Sequence, residues 1–192
     1  MSSTNKFALF GHEAAATSQL SAALGIGVSN AIDPQLDCAL FVVNAAHGID
    51  SLTIEQWHSF DEFLTPRILI ITGFSEGDLD FDDAIVLARR VLDEVVTRYL
   101  VLHDEEGLPC ALIDLENMQV HNYRDNTIKA ADPDLSDVVK EFKEEYSEQV
   151  FGSDGFAAGI LFPAVPVLLN DPEFNMGIDI VKQYLESLPS FG

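Results

Sequence analysis

Residues 7–20 read FALFGHEAAATSQL, an apolar run followed by a glycine and a segment rich in small residues. The run predicts a strand, Gly11 a turn, and the rest a helix beginning near Thr17. This is the layout of a phosphate-binding loop, G-x-x-x-x-G-K-[ST], in which glycines let backbone N–H groups surround a phosphate and lysine meets its charge. Gly11 and Ser18 have the right spacing, but Ala16 replaces the second glycine and Thr17 the lysine.

The next segments alternate between strand and helix patterns. Residues 38–44 (CALFVVN) and 68–71 (ILII) are near-continuous apolar runs, which are typical of parallel strands covered on both faces. A helix is predicted from about Thr53, with Thr53 and Gln56 as a capping box. Its inward-pointing side chains are predicted to be Trp57, Phe60 and Leu64. A further helix is predicted from helical spacing of Phe81, Ala84, Ile85, Ala88, Val91, Leu92, Val95 and Val96.

Residues 99–102 predict a further short strand, which continues this alternation and its parallel sheet. The rhythm then breaks, and residues 109–114 and 118–123 predict a hairpin. Asp132 and Pro133 open a predicted helix to residue 150. Its predicted buried stripe is Leu135, Val138, Val139, Phe142, Tyr146 and Val150. A strand at 165–169 and a helix at 176–188 follow, so we expect one three-layer α/β domain over residues 1–192, with a small hairpin-plus-helix subdomain inserted at about 104–152.

The composition limits the partners of this chain. It has 32 acidic residues against 10 basic ones, a formal net charge of -22. Such a surface repels nucleic acids and anionic membranes, so we expect a protein partner with a basic surface. Cys38 and Cys110 lie in apolar stretches and are predicted to be free thiols in a reducing compartment. No apolar span is suited to a membrane or a signal peptide, which predicts a cytoplasmic protein.

Several segments carry a resemblance to a known family. Residues 37–48 (DCALFVVNAAHG) and 66–71 (PRILII) resemble the central strands of the GTPase domain of elongation factor G and related translational GTPases. Residues 107–115 (GLPCALIDL), 166–169 (PVLL), 175–178 (NMGI) and 184–189 (YLESLP) follow the order of that family through its inserted subdomain. The resemblance covers nearly the whole chain and implies a P-loop GTPase-like topology.

Each of the family's five nucleotide loops departs from its pattern here. Thr17 cannot supply the lysine charge, and residues 23–37 leave no room for the first switch or the D-x-x-G-H segment, of which residues 32–34 (IDP) are at most a trace. Residues 72–75 (TGFS) replace the guanine-reading N-K-x-D, and residues 170–172 (NDP) replace the fifth loop. Phosphoryl transfer depends on these positioning groups.

The resemblance therefore implies a stand-alone, non-hydrolysing relative with no catalytic residues, no metal and no cofactor. In this reading Gly11 and Ser18 are vestigial nucleotide-binding residues. The alternative is a residual GTPase or translation factor that binds GTP or GDP with magnesium through Gly11, Ser18 and the amides of the first loop.

A candidate partner surface lies on the predicted helix 133–150. Four acidic residues recur at helical spacing opposite its apolar stripe: Asp137, Glu141, Glu144 and Glu148. For a single charged helix face, a solvated exterior is the more common explanation. In elongation factor G, however, the corresponding subdomain contacts the basic C-terminal domain of the ribosomal stalk protein, so the resemblance implies a stalk-like partner here.

Three other motifs allow rival interpretations. Residues 73–77 (GFSEG) match the G-x-S-x-G elbow of serine hydrolases, with Ser75 as nucleophile and Asp93 or Asp114 and then His121 to complete a triad. The Asp78, Asp80 and Asp82 spacing begins like a calcium loop, although an acidic helix cap explains it better. His12 is interpreted as structural. The remaining histidines His47, His58 and His103 lack the spacing of a metal site.

Overall fold

The computed structural model describes residues 5–75, 80–150, 155–171 and 174–189. The strands are β1 (Phe7–Gly11), β2 (Cys38–Asn44), β3 (Arg67–Thr72), β4 (Val95–Thr97), β5 (Tyr99–His103), β6 (Pro109–Asp114), β7 (Gln119–Asn122), β8 (Thr127–Ala130), β9 (Phe162–Pro166), β10 (Leu168–Asp171) and β11 (Phe174–Met176). The helices are α1 (Thr17–Leu24), α2 (Ser51–His58), α3 (Phe81–Val91), α4 (Pro133–Val138), α5 (Lys140–Val150) and α6 (Ile178–Ser187).

The central sheet consists of five parallel strands in the order β1-β2-β3-β9-β4. Every residue of β2 and β3 is buried, as their apolar runs predict for strands covered on both faces. Phe10, Phe41, Phe60 and Trp57 pack against one another beside β1 and β2, with ring centroids 5.0 to 6.1 Å apart. Each fully buried aromatic side chain stabilises the fold by about 1.5–3 kcal/mol.

A short segment covers the outer edge of β1. The Leu9 amide donates to the Gly27 carbonyl oxygen at 3.0 Å, and the Ser29 amide donates to the Leu9 carbonyl oxygen at 2.8 Å. Val28 thus makes a parallel bridge with Leu9. This bridge satisfies edge hydrogen bonds that would otherwise be open to another strand.

A second, antiparallel sheet is formed by β5-β6-β7-β8. It packs with α4 and α5 around a separate apolar core that includes Ile113, Val139 and Tyr146. Arg98 joins the two sheets, since it follows β4 and forms a bidentate pair with Asp114 of β6 at 2.9 and 2.7 Å. The predicted hairpin of residues 109–123 is thus correct, but it is the middle of a four-stranded sheet.

The prediction for residues 81–103 was wrong in two respects. Helix α3 ends at Val91, where Leu92 leaves helical backbone geometry with φ -106° and ψ -97°, so Val95 and Val96 lie in β4 and pair with β9. The β-branched residues of this segment favour a strand once a partner edge is available. Strand β5, predicted as a further strand of the parallel series, lies in the second sheet instead.

Helix α2 also differs from its prediction. It begins at Ser51, because the carboxylate of Asp50 accepts a hydrogen bond from the Thr53 amide at 2.7 Å and serves as the cap assigned to Thr53. Trp57 and Phe60 are fully buried as predicted. Leu64 is 58% exposed, since the helix ends before it and its backbone is left-handed with φ 50°.

The predicted helix 133–150 is two helices. Asp132 caps α4 as predicted, but Val139 interrupts the helix with ψ 7° before α5 begins. The predicted stripe is consequently only partly buried. Val139 and Tyr146 lie in the second core, while Val138 is 73% and Phe142 44% exposed.

Candidate functional site

The first loop connects β1 to α1. Gly11 has φ 146°, and a Cβ there would lie 2.4 Å from the Val42 carbonyl oxygen, so only glycine fits this close approach of two strands. His12 caps a single 3₁₀ turn that precedes α1. Ala16 then adopts left-handed geometry with φ 60°. Glycine is preferred in this conformation, and glycine is the residue that the phosphate-loop pattern has at this position. The backbone thus follows a strand-turn-helix path, and α1 begins at Thr17 as predicted.

Hydrogen bonds within the protein occupy two amides and two carbonyl groups of this loop. The amide of Ala14 donates to Nδ1 of His12 at 3.1 Å, and the amide of Ala15 donates to the His12 carbonyl oxygen at 2.9 Å. From the sheet, the Asn44 side-chain amide donates to the Ala14 carbonyl oxygen at 3.0 Å. The Thr72 hydroxyl donates to the Ala15 carbonyl oxygen at 3.2 Å. In a phosphate loop such amides face the phosphate instead.

The loop also lacks the positive charge of a phosphate site. Thr17 stands at the lysine position and is buried, while Ser18 is exposed. Residues 11–18 contain no lysine or arginine. A cavity of about 210 Å³ lies beside the loop, lined by His12, Asn44 and the acidic Asp50 among others. Ligand pockets of drug size span about 300–1,000 Å³. Residues 11–18 thus offer no basic side chain, and the amides of Ala14 and Ala15 are already bonded to His12.

The other loop positions at this end of the sheet are reshaped as well. Gly73, in the guanine-loop position, has φ 69°, and a Cβ there would lie 2.2 Å from Oδ1 of Asn44. Its neighbour Thr72 is engaged with the first loop. The fifth-loop position is part of an antiparallel hairpin, β10–β11, although Pro172 lies outside the described residues.

The possible trace of the D-x-x-G segment lies at the other end of the sheet. The carboxylate of Asp33 accepts from the Gln35 amide at 2.9 Å and lies 3.9 Å from the ammonium group of Lys6, which precedes β1. Since the first loop follows β1, the length of the strand separates Asp33 from it, about 3.3 Å per residue. Asp33 is not placed to position a metal ion at the loop.

The structure places the two candidate acids of the hydrolase alternative, Asp93 and Asp114, in contacts with other parts of the fold. Helix α3 begins at Phe81, six residues after Ser75, and residues 76–79 lie outside the described residues. In a nucleophile elbow the helix begins at the serine itself. Asp93 accepts from the Trp57 indole N–H at 2.7 Å, and Asp114 is the bidentate partner of Arg98. Both candidate acids thus serve the packing of the fold.

The acidic face of residues Asp137, Glu141, Glu144 and Glu148 is exposed throughout. Asp137 lies on α4 and the other three on α5, so the break at Val139 separates them. The ammonium group of Lys140 lies 3.9 Å from Glu144 and partly offsets its charge. Glu145 accepts from Arg89 of α3 at 3.0 Å, which ties α5 to the central domain.

One cluster was missed by sequence reasoning because Asp93 is distant in the chain from its other two members, His58 and Asp61. His58, Asp61 and Asp93 offer ligand atoms within 4.8 Å of one another. The guanidinium group of Arg67, however, lies 2.7 Å from Asp61 and 3.8 Å from Asp93. A metal ion would meet this fixed positive charge, so Arg67 already fills the role of the cation.

The acidic cap of α3 matches its structural interpretation. Asp80 caps the helix by accepting from the Asp83 amide at 2.9 Å, and the Asp83 carboxylate accepts from the Asp80 amide in return. Asp78 lies outside the described residues. Within the part of the chain that the structure describes, every helix is too short or too polar to cross a membrane.

Comparison with known proteins supports the translational GTPase resemblance. No family model matches the chain. It is 29% identical, over 105 residues, to an "Elongation factor G-like protein" in each of two strains of Mycobacterium tuberculosis, CDC 1551 / Oshkosh and ATCC 25618 / H37Rv. The match covers 54% of this chain and 14% of those proteins. The chain thus spans about a seventh of the length of these curated relatives.

A solved structure extends the likeness to the whole fold. The crystal structure of a protein from Thermus thermophilus superposes with a TM-score of 0.75, covering 97% of this chain and 40% of that one at 18% identity. Identity this low shows the fold alone. Together the two comparisons confirm the predicted resemblance to a translational GTPase-like domain and its α/β fold class.

Proposed function

We propose that this translational GTPase-like domain binds no nucleotide and acts by binding a protein with a basic surface, in the cytoplasm. The observation that carries the proposal is a pair of hydrogen bonds: the amides of Ala14 and Ala15 donate to Nδ1 and to the carbonyl oxygen of His12. These two amides are bonded within the loop itself. The carbonyl oxygens of Ala14 and Ala15 accept from the side chains of Asn44 and Thr72. Opening it for a phosphate would break these bonds first.

The energetic consequence is large for a ligand that depends on charge. Each charge-assisted hydrogen bond is worth about 1.5–3 kcal/mol. A ligand with a micromolar dissociation constant reaches a millimolar one when its binding free energy weakens by about 4 kcal/mol. The lysine contact and the two loop amides together amount to that much. The net charge of -22 opposes a nucleotide further.

Protein binding remains as the role of the preserved scaffold. The four side chains of the acidic face on α4 and α5 are exposed, so a partner can contact them. A basic partner would be steered to it, with an affinity that falls as salt increases. The resemblance to elongation factor G supports the basic domain of a ribosomal stalk protein as the first partner to test.

Calorimetry tests the nucleotide half of the proposal. Purified protein at low salt is titrated with GTP and with GDP in magnesium buffer, and its folded state is checked by the emission of Trp57, the single tryptophan. We expect no saturable heat up to millimolar nucleotide. Saturable binding would establish the alternative, a residual GTP-binding factor, which the left-handed backbone at Ala16 and the helix start at Thr17 favour.

Charge reversal tests the partner half. We expect Glu141→Lys/Glu144→Lys to abolish binding of the stalk C-terminal domain in surface plasmon resonance. The matched control is Glu62→Lys/Glu186→Lys, which changes the net charge equally at exposed sites outside the acidic face. Equal binding of both variants and the unmodified protein would contradict the assignment of the acidic face.

A further inference from the structure

An apolar groove lies next to the acidic face and is not used by the fold. A cavity of about 200 Å³ opens between the amino end of α3, strand β5 and helices α4 and α5. Its lining includes Phe81, Leu100, Leu102, Leu135, Val138 and Phe142. We call this cavity the apolar groove. Large apolar side chains at its rim are normally buried, yet Val138 is 73% and Phe142 44% exposed.

The break between α4 and α5 creates this groove. A continuous helix would direct the whole apolar stripe into the second core, whereas the interruption at Val139 leaves that residue inside and turns Val138 toward solvent. The same two helices carry the acidic face. A partner that lies along α4 and α5 would therefore meet carboxylates and an apolar cavity together.

One end of the apolar groove is acidic. Asp80 and Asp82, at the start of α3, line it together with His103. Partial burial, and then repulsion from Asp80 and Asp83, raises the pKa of Asp82. A lysine or arginine placed at this end would relieve the repulsion between the carboxylates.

We propose that the apolar groove binds an apolar side chain of a basic amphipathic segment of a partner protein, with a lysine or arginine of that segment against Asp80 and Asp82. This inference rests on the proposed protein-binding function and specifies the chemistry of the partner. The acidic face would then steer the partner, and the groove would set its register and slow its dissociation.

Charge argues against the other occupants of such a groove. A second copy of this chain would bring another net charge of -22 to an already acidic rim. A nucleic acid or an anionic lipid surface is repelled for the same reason. A neutral apolar peptide would leave Asp80 and Asp82 without a counter-ion.

A designed peptide tests the inference without knowledge of the natural partner. The probe is a fluorescein-labelled helix of leucine and lysine, with leucines at i, i+3, i+4 and i+7 and lysines elsewhere. The control peptide has the same composition in scrambled order, so its charge is equal and it has no apolar face. Binding is followed by fluorescence anisotropy at low and at physiological salt.

Protein variants locate the peptide. Val138→Ser/Phe142→Ser removes the apolar rim without changing charge, and both positions are exposed enough for the fold to tolerate it. Ile128→Ser is the matched control, since Ile128 is 60% exposed on β8 of the second sheet. We expect the rim variant to weaken amphipathic-peptide binding at least tenfold, and the control to leave it unchanged.

The outcomes separate this inference from the function on which it rests. Equal binding of the two peptides, or unchanged binding by Val138→Ser/Phe142→Ser, would show that the groove is not an anchor. If Glu141→Lys/Glu144→Lys then still abolished binding, the acidic face alone would bind the partner and the proposed function would stand. Analytical ultracentrifugation tests the remaining occupant, a second copy of the chain. Concentration-dependent dimers that are absent from Val138→Ser/Phe142→Ser would contradict the proposal that the groove binds a partner peptide.

Discussion

The side-chain amide of Asn44, at the end of β2, donates a hydrogen bond of 3.0 Å to the carbonyl oxygen of Ala14 in the first loop. Its Oδ1 accepts from the Ala46 amide at 2.9 Å. One side chain therefore fixes both the first loop and the turn after β2. Gly73 allows this arrangement, because any larger residue would collide with the Asn44 amide group.

Replacement of Asn44 by alanine should destabilise the protein by about 1–3 kcal/mol, since it leaves the Ala14 carbonyl and the Ala46 amide without their partner. Urea denaturation followed by Trp57 emission measures this. Asn30→Ala is the control, because the Asn30 side chain is exposed and its backbone carbonyl, which accepts from Gln56, is unchanged by the substitution. A loss no larger than that of the control would mean that Asn44 does not hold the loop.

Restoring the pattern residues should not restore nucleotide binding. We expect Ala16→Gly/Thr17→Lys to give no saturable heat with GTP and magnesium up to millimolar concentration, because His12 still takes the Ala14 and Ala15 amides. The fold of the variant is checked by circular dichroism and compared with Ala16→Gly alone. Micromolar binding by the double variant would show that only the lysine was missing.

Arg67 should contribute strongly to stability. Its guanidinium group is buried, donates to the Trp57 carbonyl oxygen at 2.8 Å, and lies 4.2 Å from the ring centroid of Phe162. We expect Arg67→Met to lower the free energy of unfolding by about 2–3 kcal/mol, since cation–π contacts and hydrogen bonds are lost while the freed carboxylates remain hydrated. Arg90→Met, at an exposed site on α3, should change it by less than about 0.5 kcal/mol.

The pKa of His58 should lie above the ordinary value for histidine. Desolvation lowers its pKa, but hydrogen bonds with the Val91 carbonyl oxygen and Asp61 outweigh this and raise the pKa overall. The charged form is therefore favoured by folding, and this contribution is full below about pH 6.5 and is lost as the pH rises through the raised value. Its size is small because the side chain is 42% exposed.

An NMR titration of the His58 ring protons checks that direction. Asp61→Asn should lower the midpoint, because it removes the negative charge that favours the protonated ring. Glu62→Gln, which neutralises a neighbouring exposed carboxylate, should change the midpoint less. An unchanged midpoint in Asp61→Asn would show that Asp61 does not bind the ring in solution.

The two cysteines should differ in reactivity. Complete burial, with a smaller effect from Asp37, raises the pKa of Cys38 far above its ordinary value, so the thiolate that reacts is absent from the folded protein. We expect iodoacetamide at pH 8 to leave Cys38 unmodified in native protein and to modify it in urea, as read by mass spectrometry. Cys110→Ser isolates this signal, and rapid native labelling of that variant would contradict the burial.

Much of the central fold was predictable from short-range patterns. The runs at 38–44 and 68–71 indicated strands covered on both faces, and they are β2 and the middle of β3. Asp132 and Pro133 marked the start of α4 because capping depends on neighbouring residues alone. The helical spacing from Phe81 to Val96 led to a wrong prediction of the end of α3. Apolar residues at 91, 92, 95 and 96 suit both a helix and a buried strand.

The candidate site was less predictable than the fold. The pattern of residues 11–18 indicated that a lysine and a glycine were missing, but not that the loop would close on itself. That depends on Asn44 and Thr72, which lie 30 and 57 residues beyond the loop residues they bind. The His58 cluster and the apolar groove likewise join segments that no local pattern connects.

The sequence by itself determined the parallel strands β2 and β3, the starts of α1, α3 and α4, and the acidic charge, because each follows from the identity of residues near one another in the chain. Tertiary structure alone decided where α3 stops, which acceptors hold the first loop, and that Val138 and Phe142 face solvent beside Asp80 and Asp82. The end of α3, the bonds of the first loop and the exposure of these side chains all depend on which segments contact one another. Those contacts are set by the packing of the whole domain.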